Sequence, residues 1–344
     1  MVMITGDNGL TAQAIAQTLG IGGRVVDARE MGGITGPALT EKMKEVDIVA
    51  RATPQIKQQV LQALQEAGHV VAMTGDGVND ATASKQSDVG VAMGLRGTDI
   101  AKESADIILM KNDLKVITDG VIEGRKTFGN TIKYIQMAIS SNFGNMFSAA
   151  AGSLILPFLP ALPIQLLLGQ LLYSFAQLAL PIDNVDQTYV QQPQRLRTTF
   201  IRNYMLAFGP ISSIFDFATF FVMLYGFNAR NNAALFQTAW FVESLFTQTL
   251  VIFVIRTRAV PFFLSKPNKW LTINIAVILG LAILLPYTPL GQVFGFVPLP
   301  MTFLLVLVGF IVVYLILVEF MKIWFYQHNS EPPKFTAAPR SLKA

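Results

Sequence analysis

The sequence predicts an α/β domain at the amino-terminal end, followed by a bundle of six transmembrane α-helices, and three observations support this fold class. Residues 1–130 alternate short apolar runs with amphipathic ones. The rest of the chain contains six apolar segments, each long enough for a hydrocarbon core of ~30 Å, which takes ~20 residues to cross. Charge also separates the two parts. Residues 1–133 hold 14 Lys or Arg and 16 Asp or Glu, whereas residues 134–344 hold 12 and 6.

Composition excludes several classes of protein. Hydrophobic residues make up 52% of the 344 residues and charged residues only 14%, whereas soluble domains average ~25% charged residues. The formal net charge of +4 comes from the connections of the membrane part, so it does not indicate a nucleic-acid-binding protein. The absence of cysteine excludes disulfides and thiolate metal sites.

Short apolar runs in residues 1–130 predict β-strands, and amphipathic helices fit between them. This alternation favours a parallel sheet with helices on both faces. The predicted strands are 2–4, 24–26, 47–49, 69–73, 88–93 and 106–109, and the predicted helices are 9–19, 38–45, 55–67, 78–86 and 98–104.

The most specific motif is Thr-Gly-Asp-Gly-Val-Asn-Asp at residues 74–80, between a predicted strand and a predicted helix. Asp76 and Asp80 lie four residues apart across this turn, so their oxygens can converge at the carboxyl end of the strand, where open α/β sheets bind ligands. Carboxylate oxygens suit Mg²⁺, and Gly75 and Gly77 permit the close backbone approach that a phosphate needs. A lone Gly-Asp-Gly would equally suit a polar turn, but the full string is more specific.

Two further segments carry candidate phosphate ligands. Thr5-Gly-Asp-Asn8 closes the first predicted strand and offers a hydroxyl and backbone N–H groups at a helix start, which is a ready anion site. The alternative is a cluster of helix N-cap residues. Lys57 lies one turn into the helix that starts at Thr53-Pro54, where its ammonium can reach a phosphate, although a lysine on a helix is usually just solvated.

The charges beside the six apolar segments predict the orientation of the bundle. Eleven basic residues flank one side of it and a single one, Arg230, flanks the other. The positive-inside rule places the basic side in the cytoplasm, so both termini of this multi-pass protein of the plasma membrane are expected to be cytoplasmic. The predicted spans lie near 134–156, 162–182, 204–226, 236–255, 269–287 and 301–324.

Together these motifs resemble the carboxyl-terminal half of a P-type cation-transporting ATPase, whose phosphorylation domain is haloacid-dehalogenase-like. Thr-Gly-Asp at 5–7, Thr-Pro with Lys57, and the string at 74–80 occur in the order of that family. The membrane half looks closest to the magnesium-transporting branch, to which four segments are similar: 140–145, 180–186, 208–216 and 255–258. The domains implied are a partial cytoplasmic phosphorylation domain at 1–130, a transmembrane domain at 131–326 and a cytoplasmic tail at 327–344.

The resemblance also implies roles for individual residues. Asp76 and Asp80 would bind the catalytic Mg²⁺, and Asn79 and Asp80 would support the phosphoryl site. Lys57 would neutralise the transferred phosphoryl group and Thr5 would donate hydrogen bonds to it, as the electrostatics of phosphoryl transfer require. The residues expected to contact ATP or its phosphoryl group are Thr5, Gly6, Asp7, Lys57 and Gly75.

The sequence departs from the family pattern in two ways. The family's phosphorylated aspartate sits in Asp-Lys-Thr-Gly-Thr, and this string does not occur here. The preceding four membrane helices, the actuator domain and the nucleotide-binding domain also have no counterpart in these residues, so this chain alone is not expected to autophosphorylate. In addition, Ser174 stands where the second span of the family usually carries an intramembrane aspartate, and a serine supplies no charge to a cation site.

Polar side chains within the predicted spans are candidates for the ion path. Asn142 and Asn145 share one face of the first span, and the alternative to an ion path is helix packing through hydrogen bonds. Gln170 and Gln177 are expected to face the bundle interior together, with Ser174 between them. Asp183 and Asp186 are expected in a solvated loop. The only carboxylates well inside other predicted spans are Asp216 and Glu243, which would bond to each other or to Gln248 and are further candidates for cation transport.

The leading hypothesis is the carboxyl-terminal part of an ATP-driven Mg²⁺ translocase, active when a separate chain supplies the missing half. A second hypothesis is an inactive gene remnant that forms a membrane bundle without catalysis. A third is a membrane-anchored haloacid-dehalogenase-like phosphatase, for which the strand-end candidates Asp7 and Asp76 are already assigned other roles. The expected partners are the lipid membrane and a transported cation, not nucleic acid.

Overall fold

A computed structural model of the protein describes residues 1–111, 113 and 115–329, with the side chain of residue 188 excepted. These residues divide into two compact units, one from Met1 to Gly120 and a second that starts at Val121. The tail predicted at 327–344 lies outside the described residues from position 330 onward.

The first unit alternates strands and helices, as the sequence predicted. Two of its helices begin at N-cap residues whose side chains cap them: Asn8 accepts a hydrogen bond from the N–H of Thr11, and Thr53 accepts one from the N–H of Ile56. The strands are β1 (Met3–Ile4), β2 (Arg24–Asp27), β3 (Val46–Ala50), β4 (Ala72–Gly75), β5 (Val89–Met93) and β6 (Ile107–Leu109). The helices are α1 (Gly9–Thr18), α2 (Pro37–Met43), α3 (Pro54–Glu66), α4 (Val78–Gln86) and α5 (Asp99–Ser104).

The described strands form two parallel sheets of three strands, where the sequence predicted one sheet. The strand orders are β1-β3-β2 and β4-β5-β6, so β1 and β4 are each an edge of their own sheet. The start of β4 also lies three residues beyond its predicted start, because the N–H of Val71 bonds to the Asp88 carboxylate instead of a strand neighbour. Both edge strands run directly into a Thr-Gly-Asp turn.

The two sheets differ in how well they are covered. The first packs its buried strand β3 between helices, in apolar clusters that include Val26, Val49 and Val60 on one side and Ala12 and Ile48 on the other. In the second sheet the edge strands are largely open: β4 alternates exposed and partly buried residues, and Ile107 and Ile108 of β6 are exposed.

The second unit consists of helices. They are α6 (Lys115–Ile155, which starts in the first unit), α7 (Pro163–Gln177), α8 (Gln187–Gln191), α9 (Thr198–Phe221), α10 (Ala233–Ile255), α11 (Lys269–Leu284), α12 (Pro289–Val293) and α13 (Met301–Asn329). Helix α10 is the centre of the bundle and packs against α7, α9, α11 and α13. In the most apolar stretch of 18 residues, 83% of α10 is buried, whereas only 22% of the corresponding stretch of α13 is buried.

Five helices of the described residues are long and apolar enough to cross a membrane, and the predicted count of six is not reached. These five include every predicted span except the first. The first predicted span lies within α6, and the buried face of that helix is built from small and polar residues, among them Ser140, Ser141, Gly144 and Ser148. This polar face lowers the apolarity of α6 below that of the other five helices.

Candidate functional site

Lys57 and Asp80, both predicted to serve a phosphoryl site, form an ion pair. Lys57 lies in the first turn of α3 and Asp80 in the first turn of α4, and these two helices pack against each other. The side chains are 14% and 13% exposed, so the pair is shielded from bulk water. A carboxylate in the first turn of a helix is also favoured by the helix dipole. The fold therefore holds a lysine ammonium beside the turn at residues 74–80.

The Thr5 turn is tied to the end of the neighbouring strand. The Thr5 hydroxyl donates to Asp7 Oδ2 at 3.0 Å and accepts from the Asp7 N–H at 3.2 Å. The N–H of Arg51, which follows β3, donates to the Asp7 carbonyl at 2.8 Å. The N-cap alternative is realised by Asn8, whose Oδ1 accepts from the Thr11 N–H at 3.0 Å. Thr5 and Asp7 thus bond to each other at the carboxyl end of β1, whereas Asn8 is committed to α1.

The turn after β4 places its polar groups unequally. Asp76 and Asn79 are exposed, whereas Asp80 is mostly covered. Gly75 is required by packing, because a Cβ at this position would collide with the Asp80 side chain. The Asp76 carbonyl accepts from the Thr98 N–H at 3.0 Å, which fixes the turn against the start of α5. The arrangement leaves the Asp76 carboxylate free to bind a ligand from solvent.

The chemistry of these donors fits a hard cation in part. Asp76, Asn79 and Asp80 offer the oxygen ligands that Mg²⁺ prefers. Nevertheless, in the part of the chain that the structure describes, no three His, Cys, Asp or Glu side chains are grouped closely enough to hold a metal. Two carboxylates are therefore the most that the described residues bring to the turn, and Lys57 already neutralises one of them.

The predicted ion-path residues do not share one environment. Asn145 is partly buried, and its Oδ1 accepts a hydrogen bond from Ser244 of α10 at 3.2 Å. Gln177 is buried and its side-chain nitrogen has no partner among the described residues. Gln170 and Ser174 are exposed, and the Ser174 hydroxyl donates to the Gln170 carbonyl at 2.7 Å. Asn142 is partly buried on α6.

The expectation that Gln170 and Gln177 face the bundle interior together was wrong for Gln170. Gln170 and Gln177 share a helix face, but neighbouring helices pack over only part of that face along α7. Near its end, Asn274 of α11 donates to the carbonyl of Phe175, and the neighbouring Gln177 is buried. Two turns earlier the same face of α7 has no described neighbour that buries Gln170.

Sequence reasoning missed a buried ionic cluster at one end of the bundle. Asp183 was expected in a solvated loop, but it is 5% exposed. Its Oδ2 accepts from Lys133 Nζ at 3.1 Å and from Arg256 Nε at 2.8 Å, and its Oδ1 accepts from the Asn268 N–H at 3.1 Å. Burial raises the pKa of Asp183, but the hydrogen bond from Arg256 and the charge of Lys133 outweigh it and hold the pKa below its usual range. The signal in the sequence was an arginine at the very end of an apolar span.

A second polar contact inside the bundle also escaped prediction. The Ser141 hydroxyl and the Tyr173 hydroxyl lie 3.0 Å apart and are buried, so they join α6 to α7. Ser141 and Tyr173 directly precede Asn142 and Ser174 in the sequence. Their hydrogen bond fixes the relative position of the two helices that carry all of the predicted ion-path residues.

Comparisons with known proteins agree with both units. Residues 158–324 match the family described as cation transporting ATPase, C-terminus, and residues 1–88 match the haloacid dehalogenase-like hydrolase family. A magnesium-transporting ATPase, P-type 1, of Salmonella typhimurium is 41% identical over 323 residues, which is 93% of this chain and 36% of the relative. The protein of the same name from Escherichia coli K12 is also 41% identical over 323 residues, with the same coverage.

A calcium-transporting ATPase of Bacillus subtilis is more distant. It is 33% identical over 304 residues, which is 85% of this chain and 34% of that relative. The chain thus spans about a third of the length of the curated relatives that it matches.

Proposed function

The chain belongs to the P-type cation-transporting ATPase family and corresponds to the carboxyl-terminal part of such a pump, and we propose that it serves the ATP-driven transport of Mg²⁺. The choice of cation rests on the higher identity to magnesium-transporting relatives, 41%, than to a calcium-transporting one, 33%. The observation that carries the catalytic half of the proposal is the Lys57–Asp80 ion pair. It holds the Lys57 ammonium group beside the Thr-Gly-Asp-Gly-Val-Asn-Asp turn at residues 74–80.

In this proposal residues 1–130 are a partial phosphorylation domain, residues 131–326 are the transmembrane domain, and the tail at 327–344 is cytoplasmic. Thr5, Gly6, Asp7 and Gly75 contact the phosphoryl group of ATP with their hydroxyl and backbone N–H groups. Lys57 neutralises that group, since phosphoryl transfer depends on positioning and charge compensation. Asp76 and Asp80, supported by Asn79, would hold Mg²⁺, which supplies electrostatic stabilisation of the transferring phosphoryl oxygens when bound.

A separate chain that carries the amino-terminal part of the pump would complete this site. Asp-Lys-Thr-Gly-Thr, which contains the phosphorylated aspartate of the family, does not occur in this sequence. Support comes from the sheets: β1 and β4 are edge strands, each leads into a Thr-Gly-Asp turn, and each has one side without a strand partner among the described residues. Unpaired edges readily accept another strand, so an added strand that ends in the nucleophile fits beside them.

The membrane part is proposed to cross the plasma membrane six times, with both termini in the cytoplasm. The one span that is not among the five apolar helices of the described residues is the first, the part of α6 from residue 134 onward. Its polar residues are turned into the bundle, where Ser140, Ser141 and Ser148 are buried, and this removes the cost of exposing them to lipid. The eleven-to-one distribution of basic residues supports the orientation.

The proposed ion path follows α6 and α7 through five residues. Gln170 and Ser174 are polar yet exposed on a helix that lies in lipid, which favours a cover of further membrane helices over this face. Ser174 lacks the charge of the aspartate that the family usually carries at this position. The path comprises Asn142, Asn145, Gln170, Ser174 and Gln177.

Growth of a bacterium that lacks its own Mg²⁺ uptake systems tests the proposal. The chain is expressed together with the amino-terminal part of a magnesium-transporting relative, and growth is measured at limiting Mg²⁺. We expect growth with both chains, none with either alone, and none with the Lys57→Ala variant. The Lys126→Ala variant, which alters an exposed lysine paired with Glu123, should grow normally. Failure of the wild-type pair, with both chains present in the membrane, would favour the inactive remnant.

A further inference from the structure

Two carboxyl groups lie buried where α6, α9 and α10 meet. Asp216 of α9 is 1% exposed and Glu243 of α10 is 0% exposed. Trp240, three residues before Glu243 and on the same face of α10, donates a hydrogen bond to Asp216, which brings the two carboxyl groups together. Two ionised carboxylates in contact would repel strongly in a dry interior, and each would be costly within a membrane. The contact therefore needs either a cation or a proton between the two groups.

The Asp216 carboxylate has a hydrogen-bond donor on each oxygen. Ser148 Oγ of α6 donates to Oδ2 at 2.6 Å, and Trp240 Nε1 of α10 donates to Oδ1 at 2.7 Å. Hydrogen bonds to the charged form of a carboxyl group stabilise that form. Asp216 is thus equipped to carry the negative charge, and its lone pairs are partly occupied by protein donors.

Glu243 has the opposite surroundings. Neither of its side-chain oxygens receives a hydrogen bond from a described residue. Thr247 is one turn away, but its hydroxyl donates to the Glu243 carbonyl at 3.1 Å. Gln248, the other partner expected from the sequence, donates its amide to Ser244 instead. A buried carboxyl group without donors is stable only when it is protonated, and its O–H then requires an acceptor.

The titratable groups around the pair supply no cation. Within the described residues neither carboxyl forms an ion pair, and apart from each other the titratable neighbour is Tyr314 of α13. The lysine of α13 nearest in sequence to Tyr314 is Lys322, which forms an ion pair with Glu319 and donates hydrogen bonds to the carbonyls of Val254 and Ala259. A metal ion is a poor fit, because the Trp240 N–H that faces Asp216 cannot be a ligand.

We propose that Asp216 and Glu243 form a proton-binding site in the membrane bundle. One proton is bound to the Glu243 carboxyl group, whose O–H donates a hydrogen bond to the Asp216 carboxylate. The site is separate from the ion path on α6 and α7, and it ties three helices together through one shared proton. Loss of that proton would place two negative charges in contact and separate α9 from α10. The ligand of the site is the proton itself.

A hydrophobic carbodiimide tests this assignment, because it modifies protonated carboxyl groups within membranes and spares ionised ones. The full chain is treated in vesicles at neutral pH, and the modified peptides are mapped by mass spectrometry. We expect modification of Glu243 and its loss in Glu243→Gln. Glu319 is the matched control: it lies in a span of the same bundle, but its carboxylate pairs with Lys322 at 2.9 Å, so it should stay unmodified. Protection of Glu243 by millimolar Mg²⁺ would identify a cation site and overturn the proposal.

Thermal unfolding of two variants decides the case if the reagent cannot enter the bundle. The amide of Glu243→Gln donates an N–H to Asp216 as the protonated acid does, so the melting temperature should change by less than about 2 °C. Glu243→Ala removes the donor and should lower the melting temperature by several times that amount. A clear rise in melting temperature for Glu243→Gln would show that wild-type Glu243 is ionised, and the proposal would be wrong.

Discussion

Arg256 donates a hydrogen bond from Nε to Asp183 Oδ2 at 2.8 Å, and both side chains are at most 1% exposed. Arg256 ends α10, the central helix of the bundle, and Asp183 follows the short helical turn after α7. Lys133 of α6 completes the cluster. One carboxylate thus joins the carboxyl-terminal ends of α7 and α10 to the middle of α6.

Replacement of Asp183 by alanine is expected to destabilise the membrane unit by ~3–5 kcal/mol, because it leaves two buried cations without their partner. Glu123→Ala removes an exposed ion pair with Lys126 and should cost less than ~1 kcal/mol. Chemical unfolding in detergent micelles measures both. A small effect for Asp183→Ala would show that water enters the cluster.

The stability given by Asp183 should depend on pH in one direction. The pKa of Asp183 is lower in the folded protein than its usual value, because the effects of Arg256 and Lys133 exceed the effect of burial. The contribution is therefore complete above the unfolded-state pKa of ~3.9 and is lost as the pH falls through the folded-state pKa. The difference in melting temperature between wild type and Asp183→Asn should shrink on acidification. A difference that grows toward low pH would contradict this account.

Asp76→Asn is expected to abolish any stabilisation of the cytoplasmic unit by Mg²⁺. Asp76 is the exposed carboxylate of the turn, whereas Asp80 is already neutralised by Lys57. Melting of the full chain with and without millimolar Mg²⁺ gives the shift, and Asp99→Asn, at an exposed carboxylate of α5, is the control. Equal shifts in wild type and Asp76→Asn would show that Asp76 does not bind the metal.

Gly75→Ala should destabilise the turn by ~1–3 kcal/mol, the usual cost of overpacking, since the added methyl group collides with Asp80. Gly120→Ala is the control, because a Cβ there meets open space within α6 and alanine is the better helix former. Limited proteolysis after residue 74 reports the loss of local structure. An unchanged cleavage pattern in Gly75→Ala would mean that Asp80 can move aside.

The absence of cysteine makes the topology directly measurable. Single cysteines at Leu159 and Asn231 should react with an impermeant thiol reagent added to intact cells, because six spans place both connections outside. A cysteine at Lys266 should react only after the membrane is broken. Labelling of the Lys266 variant in intact cells, or its absence at Leu159, would exclude the six-span arrangement.

Local sequence patterns were enough to predict the helices and strands. The features that they did not predict depend on contacts between residues far apart in the sequence. The Thr53-Pro54 start of α3 places Lys57 in the first turn, and short apolar runs located every strand of the first unit to within a few residues. Lys57 pairs with Asp80 because they lie in the first turns of α3 and α4, which pack against each other. The burial of Asp183 does not follow from local patterns, because it depends on cations 50 and 73 positions away in the chain. The exposure of Gln170 depends in the same way on which helices cover α7.

Phosphorylation by labelled ATP tests the central claim most directly, since it separates the support residues of this chain from the nucleophile. The purified chain alone is expected to form no acid-stable, hydroxylamine-sensitive label, because Lys57 and the carboxylates can stabilise a phosphoryl group but cannot accept it as the family's aspartate does. With an amino-terminal part that carries Asp-Lys-Thr-Gly-Thr, label should appear on that partner and be lost with Lys57→Ala. Hydroxylamine-sensitive label on this chain alone would contradict the account.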